Sequence, residues 1–115
     1  MPKRKPEATP PDAEEVALRL LARREHSRAE LAAKLRSRGI DEGEVERALN
    51  RLEAEGALSE ARFVEQLVRV RLRQGYGPLR IRRDLAAKGV APERAEAEMD
   101  FDDDEWTARA EAARR

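Results

Sequence analysis

The chain contains no cysteine, which excludes a disulfide framework, a thiolate zinc site and cysteine nucleophilic chemistry. It has one histidine, and its aromatic residues are only two phenylalanines, one tyrosine and one tryptophan. Phosphate loops of the Walker type, glycine-rich dinucleotide turns and nucleophile elbows are all missing. A lone histidine without other ligands at metal spacing is expected to be structural, so His26 is not read as a catalytic or metal-binding residue. The chain is accordingly expected to act without catalysis, cofactor or metal. No apolar run reaches the length of a membrane span or a signal-peptide core; no membrane contact and a cytoplasmic location are expected. Net charge is missing as well, since 24 basic residues balance 24 acidic ones, which argues against an overall basic binder.

What is present is charge itself, at 42% of residues, against 40% hydrophobic. Abundant Ala, Leu, Glu and Arg with few aromatics is the composition of a long-helix or helical-repeat protein, and no segment reads as a strand. The charge is unevenly placed. Residues 69–88 hold seven bases and one acid, Asp84, whereas residues 96–105 hold seven acids and no base. Such polarity sets which surface meets a partner.

The sequence also overlays on itself without a gap at an offset of fifty residues, from Val16 to Met99. Leu31 falls on Ile81, Leu35 on Leu85, Gly39 on Gly89, Ile40 on Val90, and Arg19 and Arg23 fall on Arg69 and Arg73. A period of this size marks tandem units that bury their apolar faces partly on one another. The expected fold is all-α, an elongated and curved array of tandem three-helix repeats with about seven helices. Residues 1–12, with four of the six prolines and Lys3, Arg4 and Lys5, are expected to be a disordered basic leader. Repeat one is expected over 13–56, repeat two over 57–101, and the first helix of a truncated third repeat over 102–115.

Local signals place the helices. The first is expected over about 13–25, and Ser27 with Glu30 forms a capping box that starts a second over 28–38, with Gly39 as its left-handed stop. Asp41 with Glu44 repeats the box logic for a third helix over 42–55, whose Val45, Ala48, Leu49 and Leu52 fall at i, i+3, i+4 and i+7. Phe63, Leu67 and Val70 line the core side of a fourth helix ending near Gln74. Pro78 suits the first position of a fifth. Pro92 opens a sixth to about Met99, and Trp106 begins a seventh. The acidic run from Asp100 to Glu105 lacks the glycine and spaced ligands of a calcium loop; it reads as a helix start whose aspartates complement the dipole.

Four segments then resemble one family. Ala22-Arg23-Arg24-Glu25-His26-Ser27-Arg28-Ala29-Glu30-Leu31, Lys34-Leu35 through Gly39-Ile40, Gly56-Ala57-Leu58-Ser59-Glu60-Ala61-Arg62-Phe63, and Gly75-Tyr76-Gly77-Pro78-Leu79-Arg80-Ile81-Arg82-Arg83-Asp84-Leu85 with Lys88-Gly89-Val90 are similar, in register, to the RecX family of regulatory proteins. The resemblance implies tandem three-helix repeats that bind RecA and its filament on DNA and suppress its ATP hydrolysis, strand exchange and coprotease activity in recombination, repair and the SOS response. A monomer meeting the RecA filament is the expected arrangement. Direct binding of single- or double-stranded DNA by a helical module is the alternative.

The candidate contact set is Arg62, Arg69, Arg73, Tyr76, Arg80, Arg82, Arg83 and Lys88. On the fourth helix Arg62, Gln66, Arg69 and Arg73 share one stripe at spacings of four, three and four, leaving the apolar residues for the core. Arginine forks suit carboxylates and phosphates alike, so the residue types do not choose between RecA and DNA. The plainer reading is a solvated face laced with i,i+4 pairs such as Glu65–Arg69. Tyr76, between two glycines, stacks on a base or fills a partner's pocket, or folds back over the helix junction.

Overall fold

The structure, a computed structural model, describes residues 12–115. Of the leader read over 1–12, only Asp12 falls among them, and it N-caps the first helix by accepting from the backbone N–H groups of Glu14 and Glu15. Seven helices and no strand occur among the described residues. They fall into two compact units, the first ending at Ser59 and the second running from Glu60 to Arg115.

The first unit contains α1 (Ala13–Leu21), α2 (Arg28–Ser37) and α3 (Glu42–Ala54). Its core gathers Val16 from α1, Leu31 and Leu35 from α2, and Val45, Leu49 and Leu52 from α3, all buried. Full burial of each such side chain is worth about 1.5–3 kcal/mol, enough together to hold helices this short, which water alone would leave marginal. The capping box at Ser27 forms in both directions with Glu30. Gly39 adopts φ +81°, and the Ile40 N–H reaches back to the Leu35 carbonyl at 3.4 Å, a Schellman closure that buries Ile40 over Leu35.

Two local expectations change here. Asp41 caps α3 through the Gly43 N–H at 2.9 Å, but Glu44 does not complete a box, because its carboxylate pairs with Arg47 at 2.8 Å. Helix α1 ends at Leu21 rather than near Glu25. Beyond it the chain tightens, with the N–H groups of Arg23 and Arg24 both turning to the Leu20 carbonyl, and the Arg24 guanidinium holding the Glu25 carbonyl and the Glu30 carboxylate.

The second unit contains α4 (Glu60–Arg73), α5 (Pro78–Ala87), α6 (Pro92–Glu98) and α7 (Asp103–Ala113). At the fifty-residue offset α2 falls on α5 residue for residue, and the first residue of α3 on the first of α6. The same Schellman closure recurs at Gly89, with Val90 N–H on the Leu85 carbonyl at 3.1 Å. Helix α4 buries more than its expected stripe. Phe63 and Leu67 are buried, Val70 is only partly so, and Val64, Val68 and Leu72 join the core, because α7 packs along a second flank of α4. Helix α7 starts at Asp103, three residues before Trp106, since Asp102 and Glu105 make a complete capping box. Trp106 and Ala110 pack against the second core, and Trp106 meets Phe101 edge to face at 5.2 Å.

Candidate functional site

Helix α4 presents Arg62, Gln66, Arg69 and Arg73 to solvent along one stripe, all exposed, while Phe63 and Leu67 turn inward. The i,i+4 pair available to Glu65 and Arg69 does not form among the described residues. Both side chains instead border an open groove of about 440 Å³ beside Val68, Leu72, Phe101 and Arg109. There the Arg109 guanidinium lies over the Phe101 ring, 3.9 Å from its centroid.

The α4 helix stops at Gly75, whose φ of +92° only glycine adopts freely; the Tyr76 N–H returns to the Arg71 carbonyl at 3.0 Å. This throws Tyr76 outward, 38% exposed. One face of its ring carries the Arg80 guanidinium at 4.2 Å from the centroid, a cation–π contact. Arg80 also bonds Asp84 at 3.2 Å, and Arg71 bonds the same carboxylate at 2.6 Å. These partners, Arg71 first, hold the Asp84 carboxyl below the usual carboxylate range.

The candidate residues therefore divide. Arg82 is tethered to Glu96 of α6, Arg80 to Asp84, and Lys88 is half-buried at the C-cap of α5. Arg69, Arg73 and Arg83 are exposed and have no ion-pair partner among the described residues. Tyr76 and Arg80 are brought into contact; the structure does not tie Arg82 to them.

The residue that sequence reasoning missed is Arg71, which links α4 to α5 through Asp84. A signal for it was available in the overlay. Leu21 and Lys34 of the first unit become Arg71 and Asp84 together, the double exchange that an ion pair between neighbouring helices requires.

The matching junction of the first unit is closed. His26, at the position of Tyr76, is 1% exposed; its Nδ1 lies 3.0 Å from the Arg24 carbonyl and its Nε2 3.3 Å from Lys34 Nζ. An ammonium can only donate, so Nε2 accepts and Nδ1–H donates to Arg24. This is a neutral structural histidine, and burial lowers its pKa below the ordinary value. Among the described residues no group of three His, Asp or Glu side chains could hold a metal ion, and no helix is long and apolar enough to cross a membrane.

The structure is that of an all-α protein made of small helical units, each with its own core and with arginines on its surface. Residues 13–52 match the family model of the first three-helix domain of RecX, and residues 59–99 that of the second. Proteins named regulatory protein RecX are 45% identical over 103 residues in Pseudomonas entomophila (strain L48) and 47% identical over 100 residues in Halorhodospira halophila (strain DSM 244 / SL1). These alignments cover 90% and 87% of the chain, and 66% and 62% of the respective relatives. A third, from Pseudomonas fluorescens, is 55% identical over 74 residues, covering 64% of the chain and 48% of that relative. The chain belongs to the RecX family of regulatory proteins, and it spans about two thirds or less of the length of these relatives.

Proposed function

We propose that the chain binds RecA and its nucleoprotein filament as a monomer in the cytoplasm and lowers RecA's ATP hydrolysis, strand exchange and coprotease activity. The observation that carries this reading is the match of both three-helix units to the RecX domains, in series and in order. The contact residues we assign are Arg62, Arg69, Arg73, Tyr76, Arg80, Arg82, Arg83 and Lys88 of the second unit, with Tyr76 and Arg80 in direct contact and Arg82 turned to Glu96. Arg69, Arg73 and Arg83 are the principal contacts, because their guanidinium groups need not break an existing ion pair to meet a carboxylate, whereas Arg82 must leave Glu96. Tyr76 offers an exposed ring stiffened by Arg80, suited to the centre of a protein interface. No catalytic step is involved: the chain acts by occupying RecA.

Titration of the purified chain into RecA turning over ATP on single-stranded DNA tests this. Turnover is expected to fall as the chain approaches RecA in concentration. Unchanged turnover in the presence of folded chain would overturn the proposal.

A further inference from the structure

Among the described residues three large apolar side chains stand exposed, Leu18 at 46%, Tyr76 at 38% and Leu79 at 82%. A single exposed leucine asks for no explanation. Tyr76 and Leu79, however, lie three residues apart at one corner, where the glycine loop enters α5. Tyr76 also borders an open groove of about 330 Å³ whose apolar lining includes Leu72, Pro78, Trp106 and Ala110. The corner is thus an apolar patch rather than an isolated side chain.

The fold does not require it. Helices α2 and α5 coincide residue for residue at the fifty-residue offset, and the first unit builds the same corner with a buried His26 and with Ala29 in the place of Leu79. Leu79 is the second residue of α5, where alanine, the better helix former, serves the backbone at least as well. So exposed a side chain gains almost no packing within its own unit. Neither helix formation nor the core accounts for Leu79. The residues that follow it, Arg80, Arg82 and Arg83, replace Glu30, Ala32 and Ala33 of the first unit. An apolar centre accompanied by arginines is the anatomy of a protein interface.

We propose that Leu79 is an apolar anchor of this chain for a folded protein partner, entering an apolar pocket edged by carboxylates, with Tyr76 in the same contact. The partner's chemistry follows from the side-chain types. A leucine gains free energy only where another apolar surface removes it from water. An aliphatic side chain has no ring to stack on a base, which is how single-stranded nucleic acids engage exposed side chains besides their phosphates. The neighbouring arginines select carboxylates for the pocket's edge. The inference rests on the RecA reading for the partner's identity, and adds to it a contact that charge does not reveal.

The test is the RecA ATP-turnover titration on single-stranded DNA with the full chain and three variants, beside fluorescence anisotropy of labelled single-stranded DNA with each chain alone. Leu79→Ala installs the first unit's residue and is expected to raise the concentration needed for half-inhibition by about tenfold or more, the effect of withdrawing a leucine from an apolar pocket. Leu79→Met keeps the apolar volume and is expected to inhibit within about twofold of the parent. Leu18→Ala removes the other exposed leucine and should match the parent. Both positions are exposed, and melting curves check that each variant folds. Affinity of Leu79→Ala for DNA alone should equal the parent's. A parent that inhibits and a Leu79→Ala chain that inhibits equally well overturn the anchor while the RecA reading stands; a parent that leaves turnover unchanged overturns both. A Leu79→Ala chain that loses DNA affinity in step with inhibition, or a Leu18→Ala chain that loses as much inhibition, also overturns the anchor.

Discussion

At position 26 a buried ring is hydrogen-bonded at both nitrogens, and at position 76 an exposed ring is covered on one face by a guanidinium. The two residues occupy the same place in their units, so the difference shows what each side chain does for its junction. His26 fills the first junction as a neutral group, and protonation would cost it the Lys34 hydrogen bond and set imidazolium against ammonium. Its pKa is lowered in the folded state, chiefly by desolvation, so the unfolded chain binds the proton more readily. The stability it contributes is whole above the ordinary histidine value of about 6.5 and is lost as pH falls below it through the lowered folded value. The first unit is therefore expected to unfold at lower urea at pH 5.5 than at pH 7.5. As the chain's only histidine, His26 is the one side chain whose ordinary titration lies between those limits. A His26→Gln variant should lose this pH dependence, and its persistence there would refute the assignment. That His26 is structural could be read from its isolation in the sequence, and that Arg82 is tethered could not. Its partner Glu96 lies fourteen residues on, in another helix, where no local periodicity points to it.

Helices α2 and α5 are the same element capped in two ways. Ser27 gives α2 a capping box, whereas Gly77, its counterpart, offers α5 no side-chain cap at all. Ser27→Ala is expected to cost about 1 kcal/mol. Gly77→Ser should add a few tenths of a kcal/mol, because its φ of −100° suits any residue and a Cβ there meets no atom within 4 Å. Urea titrations at pH 7.5 read both; a Gly77→Ser chain less stable than the parent would contradict the comparison. Element starts were legible because caps and prolines are written locally, as at Ser27, Pro78 and Pro92. Stops were legible where glycine supplied them. Helix α1 was overextended because no glycine marks its end: the tightening after Leu21 depends on where Arg24 and His26 find partners across the turn. The second flank of α4 was missed for a related reason. Val64, Val68 and Leu72 are apolar in the sequence, yet which side of a helix carries a further layer depends on α7, whose own start is set by Asp102 rather than by Trp106.

Two separate cores mean that the molecule carries its stability in halves. Leu35 and Leu85 hold matching, fully buried positions in the two units. Each Leu→Ala change is expected to cost about 2–5 kcal/mol and, by hydrogen exchange, to lower protection in its own unit first. Equal loss across both units would show that they fold as one. The same division separates the surfaces. Shared positions build the fold and repeat the Arg19/Arg23 pair, while Glu30 becoming Arg80 and Ala32 and Ala33 becoming Arg82 and Arg83 add the basic face of the second unit. The most direct measurement of that face compares the chain with its Arg69→Ala/Arg73→Ala/Arg83→Ala variant in the RecA ATP-turnover assay on single-stranded DNA. The account predicts that the chain lowers turnover near equimolar RecA and that the folded variant needs about tenfold more protein for the same effect. A variant that inhibits as well as the parent would contradict it.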